Sequence, residues 1–206
     1  MNLKVCGLKH EHNITELMQL PIDYMGFIFY KKSPRFVGEN LSFDFMRTIP
    51  KQIKKTGVFV NENSYSIFNH IAHYDLDIVQ LHGNETPEIC AELKAQVQVM
   101  KAFQIKDGFN FKQLENYLSV VDYFLFDSPT ATYGGSGNQF NWQELQKYNY
   151  NIPFFLSGGI SEEHIEEIKQ LEIQQLVAVD INSKFETEPG LKNIEHIKDF
   201  ILKLNS

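Results

Sequence analysis

Eight short apolar runs recur along the chain, with amphipathic segments between most of them. The runs are LKVCG (3–7), YMGFIFY (24–30), KTGVFV (55–60), LDIVQLHG (76–83), VQVMKAFQI (97–105), YFLFDS (123–128), PFFLSGG (153–159) and LVAVDIN (176–182). Each has strand length and is rich in β-branched or aromatic residues. The segments between them carry helix signals. NITELMQL (13–20) spaces its apolar residues by three and four, and TPEICAELKAQ (86–96) opens with the Thr-Pro-Glu of a helical first turn. SEEHIEEIKQL (161–171) opens on a serine in the N-cap position. NIEHIKDFILKL (193–204) sets Ile194, Ile197, Phe200, Ile201 and Leu204 on one face.

Strands alternating with helices build parallel βαβ units, and near-continuously apolar strands are those covered on both faces. Eight such units fit an α/β fold of one kind, a single (β/α)8 TIM barrel, better than an open sheet. At 206 residues the chain is short for that barrel, so its connections must be lean. No linker, low-complexity segment or half-to-half repeat interrupts the alternation, and one domain over 1–206 is expected.

Composition narrows the partners. A formal net charge of -7 and a pI near 5.5 repel polyanions, which argues against nucleic acid and anionic membrane. A small anionic substrate stays compatible, since helix N-termini and a few local cations can hold it. The start, MNLKVCGLKHEHN, lacks signal-peptide features, and MGFIFY and LVAV are strand-sized rather than membrane-sized. Two cysteines, Cys6 and Cys90, make no disulfide framework. A reduced, cytoplasmic protein is expected.

In such a barrel the active site gathers at the C-terminal ends of the strands. The first run ends in Cys6 and the sixth in Asp127. Taken singly, the cysteine also fits a small buried hydrophobe and the aspartate a loop or helix cap. Together at two strand tips they form a base and an acid, provided their surroundings push their pKa values apart. Cys90, in the middle of a helical segment, reads as packing. The seventh run ends LSGGI and the eighth VDINS, so Gly158, Gly159, Asn182 and Ser183 fall where barrels build phosphate sites. Arg35, on the proline-stiffened loop after the second run, suits a forked bond to a carboxylate, though a solvated surface arginine fits as well. His82 ends the fourth run, as a satisfied histidine, a substrate contact or a proton carrier. HEH at 10–12 has no further spaced ligands nearby and is not read as a metal site. GGSG at 134–137 lacks the ending of a P-loop and reads as a mobile lid.

In this order, KVCG (4–7), SPR (33–35), GVFVN (57–61), VQLHG (79–83), FDS (126–128) with GGSGNQFNW (134–142), LSGGI (156–160) and DINSKFETEPGLKN (180–193) resemble the phosphoribosylanthranilate isomerase family over nearly the whole chain. The resemblance implies an Amadori rearrangement of N-(5-phosphoribosyl)anthranilate in tryptophan biosynthesis, without cofactor or metal, by a monomer or homodimer. It makes Asp127 the general acid and Cys6 the general base. Arg35 would bind the anthranilate carboxylate, His82 and Asp180 would line the sugar and anthranilate pocket, and the loop-seven glycines with Asn182 and Ser183 would grip the phosphate. Lys184 stands where the family usually has glycine, Asn13 matches a family aspartate as a cap exchange, and Asn141 and Asn193 replace common aspartates. The analogous isomerase of the histidine pathway pairs two aspartates and repeats its half-barrel, unlike this chain. Indole-glycerol-phosphate synthase would need Lys4 as its lysine and leaves the following Cys-Gly unexplained. A non-catalytic barrel that binds a phosphorylated ligand is the reading from another class.

Overall fold

A computed structural model describes residues 1–38, 40–128 and 141–206. Eight parallel strands close into a barrel in chain order: β1 (Asn2–Cys6), β2 (Tyr24–Ile28), β3 (Lys54–Phe59), β4 (Ile78–Leu81), β5 (Gln98–Gln104), β6 (Tyr123–Asp127), β7 (Phe154–Leu156) and β8 (Leu176–Ile181). β8 pairs back onto β1, with Lys4 opposite Asp180, and β1 pairs with β2, with Cys6 opposite Gly26. The alternation of strands and helices thus closes as the TIM barrel it implied. Several strands stop one to three residues short of their apolar runs, because residues such as Ser157–Gly159 leave the ladder to form the rim.

The helices are α1 (Glu11–Leu17), α2 (Phe43–Met46), α3 (Ser64–Tyr74), α4 (Pro87–Lys94), α5 (Ile165–Gln170) and α6 (Ile194–Asn205). α6 buries Ile197, Phe200, Ile201 and Leu204 as its periodicity predicts, and the Asn193 side chain caps it by accepting from His196 N–H at 3.1 Å. The segment at 161–171 is less regular than expected. It begins as a 3₁₀ turn over Glu162–His164 and is α-helical only over Ile165–Gln170. The β5–β6 and β6–β7 connections contribute 3₁₀ helices, Phe111–Tyr117 and Trp142–Lys147.

These lean connectors cover their strands with bulk rather than length. Phe111, Phe126, Tyr148 and Phe154 interlock between them and the sheet, Phe126 lying 5.3 Å from Tyr148 and 4.8 Å from Phe154. Inside the barrel a smaller core of Tyr24, Ile78, Met100, Leu125, Phe155 and Ala178 fills the lower part. Along β1, Leu3 and Val5 join the outer layer, which leaves Lys4 and Cys6 on the inner face. A polar layer therefore sits on an apolar floor, and the site is built on that layer.

Two further short strands, β9 (Glu186–Glu188) and β10 (Leu191–Lys192), form an antiparallel hairpin after β8. Asn13 fastens it. Lying within α1 rather than capping it, Asn13 donates to Lys192 O at 2.9 Å and accepts from Lys192 N–H at 2.7 Å. An amide can do both where an ionised carboxylate can only accept, so the residue expected as an exchanged cap is a backbone clamp.

Candidate active site

A cleft at the C-terminal ends of the strands encloses about 920 Å³, its open mouth included. Every residue singled out at the strand ends lines it: Cys6 from β1, Arg35 after β2, His82 after β4, Asp127 at the end of β6, Gly158 and Gly159 after β7, and Asp180, Asn182 and Ser183 from β8 and its loop. Lys184 lines it too. Cys90 lies elsewhere, buried in α4, where burial pushes its thiol up to about 11. The lid expected from GGSG at 134–137 lies outside the described residues.

Asp127 is held on both oxygens. Oδ1 accepts from Ser128 N–H at 2.8 Å, and Oδ2 lies 3.2 Å from His82 Nε2. On the far side of the ring, the Gln80 side-chain amide meets His82 Nδ1 at 2.8 Å. With Gln80 Nε2 as donor, neutral His82 carries its proton on Nε2 and presents it to Asp127. The loop bearing His82 rests on a buried cation. Lys101 Nζ donates to Leu81 O at 3.2 Å and Gly83 O at 2.8 Å, and it pairs with Glu85 at 3.3 Å. The imidazole is thereby fixed from below as well as from the side.

Beside Cys6 lies the ion pair of Lys4 and Asp180, 2.9 Å apart and almost sealed from solvent. Burial pushes the Asp180 carboxyl up despite Lys4. For Lys4, burial alone would lower the ammonium pKa, but Asp180 and Cys6 more than offset it and the net shift is upward. The Cys6 thiol is pushed above its ordinary value by burial, against the pull of Lys4 and Lys192. Asp180 Oδ1 is buried and has no hydrogen-bond partner among the described residues.

Arg35 is not a solvated surface residue: it is 8% exposed and forked onto Glu186, with Nε at 2.9 Å and Nη2 at 2.6 Å from Oε2. Glu186 also pairs with Lys192 at 2.7 Å, and Lys192 reaches Asn182 Oδ1 at 2.8 Å. Burial alone would raise the Glu186 pKa, but Arg35 and Lys192 hold it below the usual carboxylate range. Burial drives Lys192 down to about 8. The β9–β10 hairpin thus ties the β2 loop to the β8 loop. Gly7, at φ +81°, permits it, since a Cβ there would meet Arg35 Cδ and Asn182 Oδ1, each at 2.7 Å.

Gly158 has φ +103° and its carbonyl accepts from Ser128 Oγ at 3.2 Å. A Cβ at Gly158 would lie 2.5 Å from Ser128 N, so no side chain fits while loops six and seven stay in contact. Gly158→Ala should therefore lower stability by about 1–3 kcal/mol and raise KM for a phosphorylated substrate. Urea unfolding and a substrate titration check this; a wild-type midpoint with wild-type KM would refute it.

Strand-end logic does not find Lys4, Gln80, Glu186 or Lys192. Lys4 and Gln80 each lie two residues before a residue it does find, Cys6 and His82, and period two puts such pairs on one face. Glu186 and Lys192 flank Pro189-Gly190, a turn signature that signals the hairpin bringing them together.

Comparison with known proteins decides what this arrangement belongs to. The family described as N-(5'phosphoribosyl)anthranilate (PRA) isomerase matches residues 3–203. The chain belongs to the phosphoribosylanthranilate isomerase family. It is similar to the N-(5'-phosphoribosyl)anthranilate isomerase of Parabacteroides distasonis, 44% identical over 99% of this chain and 93% of that protein. Among solved structures, the phosphoribosyl anthranilate isomerase of Thermotoga maritima superposes with a TM-score of 0.87 at 29% identity, covering 100% of this chain and 98% of that one. A further family structure holds reduced 1-(o-carboxyphenylamino)-1-deoxyribulose 5-phosphate, with a TM-score of 0.80 at 27% identity over 100% of this chain and 98% of that chain.

Proposed function

We propose that the chain converts N-(5-phosphoribosyl)anthranilate into 1-(2-carboxyphenylamino)-1-deoxyribulose 5-phosphate, the Amadori step of tryptophan biosynthesis, as a cytoplasmic acid–base isomerase working without cofactor. One observation carries this reading: a thiol on β1 and a carboxyl on β6 face the same cleft from different sides of the barrel.

Asp127 donates a proton to the furanose ring oxygen, the C1′–O4′ bond breaks, and a protonated Schiff base forms between C1′ and the anthranilate nitrogen. Cys6, as thiolate, removes the proton from C2′ and leaves an enolamine. Protonation of that enolamine at C1′ and loss of the 2′-hydroxyl proton give the ketose. The proton gained by Cys6 and the one lost by Asp127 are then exchanged back, and substrate and product are isomers. The contact between His82 and Asp127 suits this role, because a proton taken up by the pair, on the carboxyl or on the imidazole, is available to the ring oxygen.

The substrate's other groups find partners around the rim. The guanidinium plane of Arg35, fixed through Nε and Nη2 by Glu186, offers its remaining nitrogen to the anthranilate carboxylate. The ribose hydroxyls lie against Asp180 and His82. The phosphate sits between Gly158–Gly159 and Asn182–Ser183, with exposed Lys184 at the mouth as an added cation.

Growth of a tryptophan-requiring bacterium that lacks this isomerase, on medium without tryptophan, tests the activity; failure of a well-expressed chain to restore growth counts against it. Arg35→Ala should weaken substrate binding by about 2–5 kcal/mol, seen mainly in KM. An unchanged KM would reject the carboxylate assignment.

A further inference from the structure

Lys4 stands two residues before Cys6, so both side chains leave the inner face of β1. It is fully buried, and its Nζ donates to Asp180 Oδ2 at 2.9 Å across the seam that closes the barrel. The thiol of Cys6 is the next side chain on that inner face and is itself buried. Sealing an ammonium inside a protein is costly unless it is paired, and the layer beneath is filled by Tyr24, Ile78 and Phe155, so an apolar side chain would continue that floor.

We infer that Lys4 is the internal counter-ion of the Cys6 thiolate, a positioning residue beneath the base that lets it exist as an anion once substrate has displaced water from the cleft. The inference rests on the reading of Cys6 as the base.

The groups around Cys6 set the sign of each change. Lys4 on the same strand and Lys192 on β10 favour the thiolate, Asp180 on β8 opposes it, and β2 presents only Gly26. His82 and Asp127 face it from across the cleft. Burial opposes the thiolate most strongly, and the net shift is upward. Because Lys4 divides its charge between Asp180 and Cys6, neutralising Asp180 leaves that charge to the thiolate alone.

The test is the pH dependence of iodoacetamide alkylation at Cys6, located by peptide mass spectrometry on the intact chain, with buried Cys90 as internal control. Asp180→Asn should lower the Cys6 midpoint relative to wild type. Adding Lys4→Met to Asp180→Asn leaves no buried charge unpaired, and it should raise the midpoint by about one pH unit or more. Equal midpoints for the single and double variants would overturn the inference. Should the double variant not fold, Asp180→Asn still tests it: a midpoint at or above wild type overturns it. Alkylation reads the thiol whatever its catalytic role. If Cys6 is not the base, that appears separately, as turnover surviving in Cys6→Ser.

Discussion

Asp127→Asn should give a folded chain whose kcat lies about a thousandfold or more below wild type, with affinity for the phosphorylated product within a few-fold of normal. Asparagine is nearly isosteric with aspartate, and its Oδ1 can keep the bond from Ser128 N–H that is 2.8 Å long in the wild type. It has no proton to give at the ring oxygen. Its amide would also face His82 Nε2 with a donor, so the histidine must change tautomer or turn away, and the pair that stores the proton is lost. On the proposed reading, binding rests on other residues that line the cleft: the loops after β7 and β8, and Arg35. A variant with kcat within tenfold of wild type would remove Asp127 from the role of acid.

Cys6→Ser should be nearly as severe, with kcat falling about 10²–10⁴-fold and KM changing little, because the hydroxyl fills the same place but yields an anion far less readily. The pH profile separates this from a packing defect. Burial pushes the Cys6 thiol above its ordinary value, against Lys4 and Lys192. A base works deprotonated, so wild-type kcat/KM should climb as pH rises from neutral toward the thiol's raised pKa. The serine variant should lose that alkaline rise. A variant that kept it would place the titrating base elsewhere.

About half of the site is legible in the amino-acid sequence through its strand ends. Cys6, His82, Asp127 and Asp180 all belong to strands or the residue just past one, and a barrel sends such side chains to one rim. Their partners are harder to see for two physical reasons. Lys4 looks like an ordinary solvated residue in sequence, and only closure of β8 onto β1 brings Asp180 beside it. Glu186 and Lys192 depend on the hairpin and on Asn13, a residue 179 positions from the backbone it clamps. That long-range fit also makes Arg35 a carboxylate fork already half engaged by Glu186, rather than an open one. Between β5 and β7, 3₁₀ helices and large aromatic residues, rather than α-helices, cover the strands, and no helical pattern in the sequence announces them.

The most direct test of the account follows anthranilate-type fluorescence after purified chain is mixed with freshly made N-(5-phosphoribosyl)anthranilate, with Asp127→Asn and Cys6→Ser in parallel. The account predicts a rapid fall with the wild type and a trace at the uncatalysed rate with each variant. A flat trace from folded wild-type chain, or an equal fall in all three, would contradict it.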